Sequence, residues 1–255
     1  MTDPLALDNV TVRIRERVIL DRVTLAVPAG SVFALLGRNG AGKTTAFRCL
    51  LGQRRPDEGR ALLFGQDAWT HRASAMARLG VVPEEPDVPP DMTPRALAKF
   101  TGPLYRTFNG AEYAARLRHF GIDDRTAFGR LSRGQKTQVL LAIALATHPE
   151  ALVLDDPTLG LDTIARRELL AELVRDLADH GTTTLISTHD FAAVEGLATH
   201  IGVMRDGKLV LAGELEKIKA SYGQVDADPL RASGDLSTSL EEVFIDLVER
   251  QRGAA

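Results

Sequence analysis

The octapeptide Gly37-Arg38-Asn39-Gly40-Ala41-Gly42-Lys43-Thr44 constrains this chain more than any other segment. It fits a phosphate-binding loop, and its flanks are the ones such a loop needs: the apolar run SVFALLG before it, and a segment from about Thr44 to Leu51 that reads as a helix after it. Glycines at these places let the backbone curl until successive N–H groups converge on a phosphate. The helix that follows adds its positive N-terminal end. Lys43 then supplies a point charge for β- and γ-phosphate oxygens, and Thr44 a hydroxyl for Mg²⁺. Thr45 completes the candidate nucleotide-binding segment.

Apolar patterning places further elements around this loop. LALDNVTV, VILD and VTLAV read as short strands ahead of the turn Pro28-Ala29-Gly30, and ALLF (61–64) and LGVVP (79–83) as two more. Residues 84–94, EEPDVPPDMTP, concentrate proline and acid and mark a subdomain boundary. From Thr93 to His148 the apolar spacing is helical throughout. ALVLDD is a buried strand, Asp162 the N-cap of a helix ending near Gly181, and TTTLIST the next strand. His200 to Ala212 reads as a hairpin about Asp206-Gly207. A loop over 226–239 leads to a final helix, SLEEVFIDLVERQ. Strands before and after a helical block argue for a mostly parallel α/β core with a helical subdomain inserted between its halves.

ALVLDD matters for chemistry as well as fold. A buried strand ending in Asp155 carries a carboxylate to the edge of a parallel sheet where ligands bind. Asp155 is thus the candidate Mg²⁺-positioning acid, and Asp156, one residue on, is placed to orient or deprotonate a water. Together the loop and this strand indicate a nucleoside triphosphatase or a kinase.

Composition removes other classes. A net charge of −3 leaves no global basic surface for nucleic acid. The single cysteine, Cys49, excludes an internal disulfide framework, suits a reducing cytoplasm and reads as inert core packing. Residues 1–20 carry Asp3 and Asp8 without an uninterrupted apolar stretch, so no signal peptide is expected. The longest apolar run, Val139 to Ala146, is far short of the roughly 20 residues that span a bilayer.

Leu131-Ser132-Arg133-Gly134-Gln135 resembles the LSGGQ signature of the ATP-binding cassette (ABC) superfamily. Asp162 in Gly160-Leu161-Asp162 resembles its D-loop, His189 in STHD its switch histidine, and Pro83-Glu84 lies where the family has its Q-loop. The resemblance runs from about residue 5 to 215 and implies a P-loop NTPase (RecA-like) α/β fold: a mostly parallel sheet core, an N-terminal antiparallel β subdomain and an inserted α-helical subdomain. It implies an ABC ATPase domain over 1–225, with core and β subdomain in 1–84 and 147–225, a helical subdomain over about 85–146, and a C-terminal loop and helix over 226–255. It further implies that ATP and Mg²⁺ are the cofactors, with Lys43, Asp156 and His189 catalytic and Thr44, Asp155 and Glu84 on the metal. In the family, Ser132 and Gly134 would serve the ATP of a second cassette, so two ATP molecules are sandwiched between head-to-tail subunits.

Three residues depart from the family pattern. Glu84 stands where glutamine is usual, and Glu85 follows it, so either acid is a candidate to face the site. No aromatic stands near Ile14 to stack on adenine; Ile14 itself, or the guanidinium of Arg13 or Arg15, would substitute. Asp156 replaces the usual catalytic glutamate and is one methylene shorter, which implies slow hydrolysis.

One cassette without a membrane span implies a half-motor that pairs with itself or a sister subunit and docks, on the inner face of the cell membrane, on permease subunits carried by other chains. LYRTFNGAEYAARLRHFGI, DDPTLGLD and the SLEEVF type of C-terminal helix are most like bacterial ABC-2 exporters. The alternatives are an importer ATPase and a soluble ABC ATPase outside transport; the latter would usually carry paired cassettes, a basic linker or a long coiled coil.

Overall fold

The computed structural model describes residues 3–190 and 195–223. The loop 226–239 and the helix SLEEVFIDLVERQ expected from sequence lie outside the described residues. The first strands are β1 (Leu5–Ile14) and β2 (Arg17–Val27), which pair antiparallel. The two runs expected as separate strands, Val18–Asp21 and Val23–Val27, form one strand: the register slips between Val12↔Leu20 and Val10↔Val23, and Arg22 takes φ 50° at the irregularity. A bulge bends a strand without ending it. With β4 (Glu58–Leu63) and β5 (Gln66–Asp67), these form a four-stranded sheet of order β2-β1-β4-β5.

The second sheet holds β3 (Val32–Leu36), β6 (Leu79–Val82), β7 (Ala151–Asp155), β8 (Thr183–Thr188), β9 (His200–Arg205) and β10 (Lys208–Glu214), in the order β10-β9-β3-β8-β7-β6. All neighbours pair parallel except the β9–β10 hairpin, whose turn residues Asp206 and Gly207 both have positive φ. Alternation along β3 splits the core in two. Val32, Ala34 and Leu36 face one apolar cluster, and Phe33 and Leu35 face the other. The second cluster also contains Phe47 and Leu50 of α1 (Lys43–Leu50) and the inner face of the four-stranded sheet. Cys49 is fully buried there, and burial pushes its thiol up to about 11, so it packs as an inert apolar residue.

A short helix, α2 (Arg72–Met76), precedes β6 and has no signal in the apolar spacing. Between β6 and β7 the chain is helical: α3 (Pro94–Thr101) capped by Thr93, α4 (Gly110–His119) capped by Asn109, and α5 (Arg133–Leu145). α5 is buried continuously from Thr137 to Leu145, joining this block to the core. α6 (Thr163–His180) starts at the Asp162 cap and ends at Gly181, where φ is 65°. α7 (Leu215–Gly223) closes the described chain, with Leu215 and Ile218 in the first cluster.

Ions, not only apolar groups, join α4 to α6. Glu172 on α6 is 2% exposed and meets Arg175 at 2.6 Å, Arg116 at 3.5 Å and His119 at 3.8 Å. Next to it, His148 lies 3.3 Å from Glu112 and packs edge-on against His180, which in turn meets Asp176 at 3.2 Å. These histidines read from sequence as ordinary surface or core residues; the fold gathers three of them at one junction.

Candidate functional site

The parallel strands deliver their last residues to one edge of the sheet. Leu36 pairs with Thr188, Asp155 with Ser187, and Val82 with Leu154, so the segments after β3, β6, β7 and β8 emerge side by side. Such an edge, outside the carboxyl ends of parallel strands, is where ligands bind in open α/β sheets. Here it holds a cleft of about 430 Å³ lined by Ile14, Ile19, Asn39, Gly40, Gly42, Lys43, Thr44, Thr45, Glu84, Asp155, Asp156, Leu159, Ser187 and His189.

The loop before α1 needs its glycines. Gly42 takes φ 104°, and a Cβ there would lie 2.8 Å from Leu20 Cδ2 and 3.1 Å from the Ile19 carbonyl. A Cβ on Gly37 would lie 2.6 Å from the Met204 carbonyl, which cannot move aside as a side chain can. Lys43 is 8% exposed, and its Nζ donates to the Gly37 carbonyl at 2.6 Å and the Arg38 carbonyl at 3.3 Å. Burial holds its pKa below the ordinary lysine value, while the carboxylates of Asp156, Asp155 and Glu84 pull the other way.

The acids are held by β8. Ser187 Oγ donates to Asp155 Oδ1 at 2.5 Å. The Asp156 N–H donates to the Ser187 carbonyl at 3.1 Å and lies 3.0 Å from its Oγ. Asp156 sits at φ 44°, a left-handed conformation that aspartate enters more readily than most residues. Its Oδ2 accepts from His189 Nδ1 at 2.7 Å. Its Oδ1 is shielded from solvent and has no hydrogen-bond partner among the described residues. A buried carboxylate oxygen left unpaired is costly unless a ligand, ion or water meets it.

Of the two acids after Pro83, Glu84 borders this cleft; Glu85 borders only the adjoining cavity of about 540 Å³. Ile14 is 44% exposed at the mouth of the cleft, with Ile19 beside it. Arg13 does not line this cleft: its guanidinium bonds Glu58 at 3.0 Å and its N–H bonds Asp57. Gly37, Arg38 and Ala41 shape the loop without lining the cleft.

Leu131, Ser132, Arg133, Gly134, Gln135 and Asp162 are not part of the cleft. Ser132 and Gln135 form a reciprocal cap on α5, with Ser132 Oγ accepting from the Gln135 N–H at 3.1 Å and Gln135 Oε1 accepting from the Ser132 N–H at 3.0 Å. Asp162 caps α6 through the Ala165 N–H at 2.8 Å. These two helix starts touch: a Cβ on Gly134 would lie 3.1 Å from Leu161 Cδ2. Ser187, Ile19 and Leu159 are site residues that sequence reasoning missed. Ser187 carries a signal only once β8 is known to neighbour β7, because its contacts run across the sheet.

The donor set suits a hard cation. Thr44, Glu84 and Asp155 offer oxygen alone, beside an unpaired buried oxygen on Asp156, as Mg²⁺ prefers. Among the described residues there is no cluster of three or more His, Cys, Asp or Glu suited to enclosing a metal. Among the described residues, no helix is long and apolar enough to cross a membrane.

The ABC transporter family model matches residues 20–159. The chain is 34% identical to the Nod factor export ATP-binding protein I of Burkholderia thailandensis over 256 residues, covering 97% of this chain and 82% of that one. It is 33% identical to the bacitracin transport ATP-binding protein BcrA of Enterococcus faecalis, covering 86% of this chain and 73% of that protein. Among solved structures, an ATP-binding subunit of an ABC transporter superposes with a TM-score of 0.81 at 26% identity, covering 96% and 99% of the two chains.

Proposed function

This chain belongs to the ABC transporter family, and from that premise we propose that it is the ATP-hydrolysing subunit of a bacterial exporter, working as one of two cassettes beneath separate membrane subunits. The observation that carries the reading is the convergence of Lys43, Asp155, Asp156 and His189 on one cleft at the ligand edge of the sheet. Lys43 and the N–H groups of the loop take the β- and γ-phosphates, leaving the two carbonyls that hold Nζ in their absence. Thr44, Asp155 and Glu84 would hold Mg²⁺, which neutralises charge on the phosphate oxygens. Asp156 orients and deprotonates the attacking water, and His189, bonded to it, reaches toward the γ-phosphate. Ile14 and Ile19 pack on the base.

The signature residues serve the other subunit. In one chain they lie apart from the cleft, but the N–H groups at the start of α5 form an anion site that suits a phosphate arriving from outside. The relative from Burkholderia thailandensis is described by export, which supports the direction assigned here. The adjoining cavity, with Phe47, Leu51, Val81 and Val82 between Arg48 and the acids Glu84, Glu85 and Asp87, is the surface assigned to the membrane subunit.

Lys43→Ala and Ser132→Arg test this reading together. Each alone should lose ATPase activity while staying folded, and mixing them should recover activity in dimers that retain one intact composite site. More than about a tenth of wild-type turnover in Lys43→Ala contradicts the phosphate assignment. Activity in Ser132→Arg alone contradicts the shared site.

A further inference from the structure

Where the family signature has its first glycine, this chain has Arg133, the first residue of α5, with its side chain exposed. The side chain does not trail into solvent. Its Cδ, Nε and Nη1 lie over Gly160, at 3.0, 3.5 and 3.7 Å from where a Cβ on that glycine would be. Gly160 has φ 73° and sits in the loop between β7 and α6. Two turns connect that loop back to the cleft: the Leu161 N–H donates to the Thr158 carbonyl at 3.2 Å, and the Leu159 N–H to the Asp156 carbonyl at 3.1 Å. Leu159 lines the chain's own nucleotide cleft.

We infer that Arg133 is a positioning residue that couples the two ATP sites: it transmits the docking of the partner's phosphate on α5 to Asp156 of its own chain. The inference rests on the shared-site reading. The signature touches one nucleotide and Asp156 serves the other, and a packed route between them in one subunit runs from Arg133 over Gly160 and through the turns to Asp156. Gly134 against Leu161 is a second contact along the same seam, so the loop is not free when Arg133 is removed, but it loses the cover on its glycine. The element that moves is small. Displacements of about 1 Å at a reacting centre cost on the order of 10²-fold in rate; a loop that loses one of two supports is expected to slow turnover by about tenfold.

The contact is made first by the aliphatic stem, which separates this role from a direct charge on the phosphate. Arg133→Ala keeps helix propensity and removes the stem. It should lower kcat about tenfold while leaving KM for ATP within about twofold and the melting temperature within a few degrees. Arg133→Met reaches as far as Cδ and Nε without a charge, and should recover at least half of the wild-type kcat. Wild-type kcat in Arg133→Ala overturns the inference. So does an Arg133→Met as slow as Arg133→Ala, which would mean that the charge itself acts on phosphate, or a loss expressed in KM alone. Ser132→Arg is measured alongside. If it is inactive while Arg133→Ala is normal, only this inference fails; if it is active, the shared site fails with it.

Discussion

Asp156→Asn and Asp156→Glu bear on the same carboxylate from opposite sides. Asparagine keeps the size and, like aspartate, accepts a left-handed backbone at φ 44°, so the fold has no reason to change. It removes the basicity. General-base contributions are typically 10²–10⁴-fold, equivalent to roughly 3–5 kcal/mol of barrier. Turnover should therefore fall at least about a hundredfold, and an ATP-dependent dimer should accumulate. Glutamate restores the basic group one methylene, about 1.5 Å, nearer to the γ-phosphate, where displacements of that size are worth on the order of 10². Against that gain, glutamate must enter φ 44°, at a cost of about 1–2 kcal/mol. Asp156→Glu should match or exceed wild-type turnover while melting a few degrees lower. Phosphate release measures the rate, gel filtration with and without ATP the dimer, and calorimetry the stability. Wild-type turnover in Asp156→Asn refutes the role given to this residue. A wild-type protein without hydrolysis that Asp156→Glu makes active refutes slow catalysis in favour of a degenerate site dependent on a sister subunit.

Two further outcomes follow from other parts of the structure. Aliphatic Ile14 and Ile19 cannot read the polar edge of a base, so ATP and GTP should support turnover within about tenfold of each other; a preference near a hundredfold would instead implicate Arg13 or Arg15. Burial pushes the Glu112 carboxyl up, but the hydrogen bond from Arg116 and the nearby His148 and His180 outweigh it and leave its pKa below the ordinary glutamate value. A lowered folded pKa gives stability that is complete above the ordinary value of about 4.3 and is lost as pH falls through the folded value, so Glu112→Gln should flatten the acid limb of a stability-against-pH curve without steepening it at neutral pH.

The local chemistry was legible in the sequence because it is written locally. The loop through Lys43, the strand ending at Asp155 and the cap at Asp162 each use short-range geometry, and the structure places them accordingly. What depends on neighbours across the sheet was not legible. β2 reads as two strands until β1 is seen to pair along both halves. Ser187 is an unremarked strand residue until β8 lies beside β7 and its hydroxyl meets Asp155. The pairing of Arg13 with Glu58, far away in sequence on β4, is invisible until β1 lies beside β4. The choice between Glu84 and Glu85 is likewise set by how the chain leaves β6, which spacing alone does not determine.

The ionic junction between α4 and α6 behaves differently under rotation from an apolar one. Turning two oily helices past each other opens gaps that water enters, and the penalty grows with the area exposed. Glu172 draws on partners from both helices, with Arg175 on its own helix and Arg116 and His119 on the other. A turn that parts the two helices strands a buried carboxylate with Arg175 alone, so the junction resists rotation as well as separation. The helical block that carries Ser132 and Arg133 is thereby tethered to the core twice, by this buried charge and by the apolar length of α5.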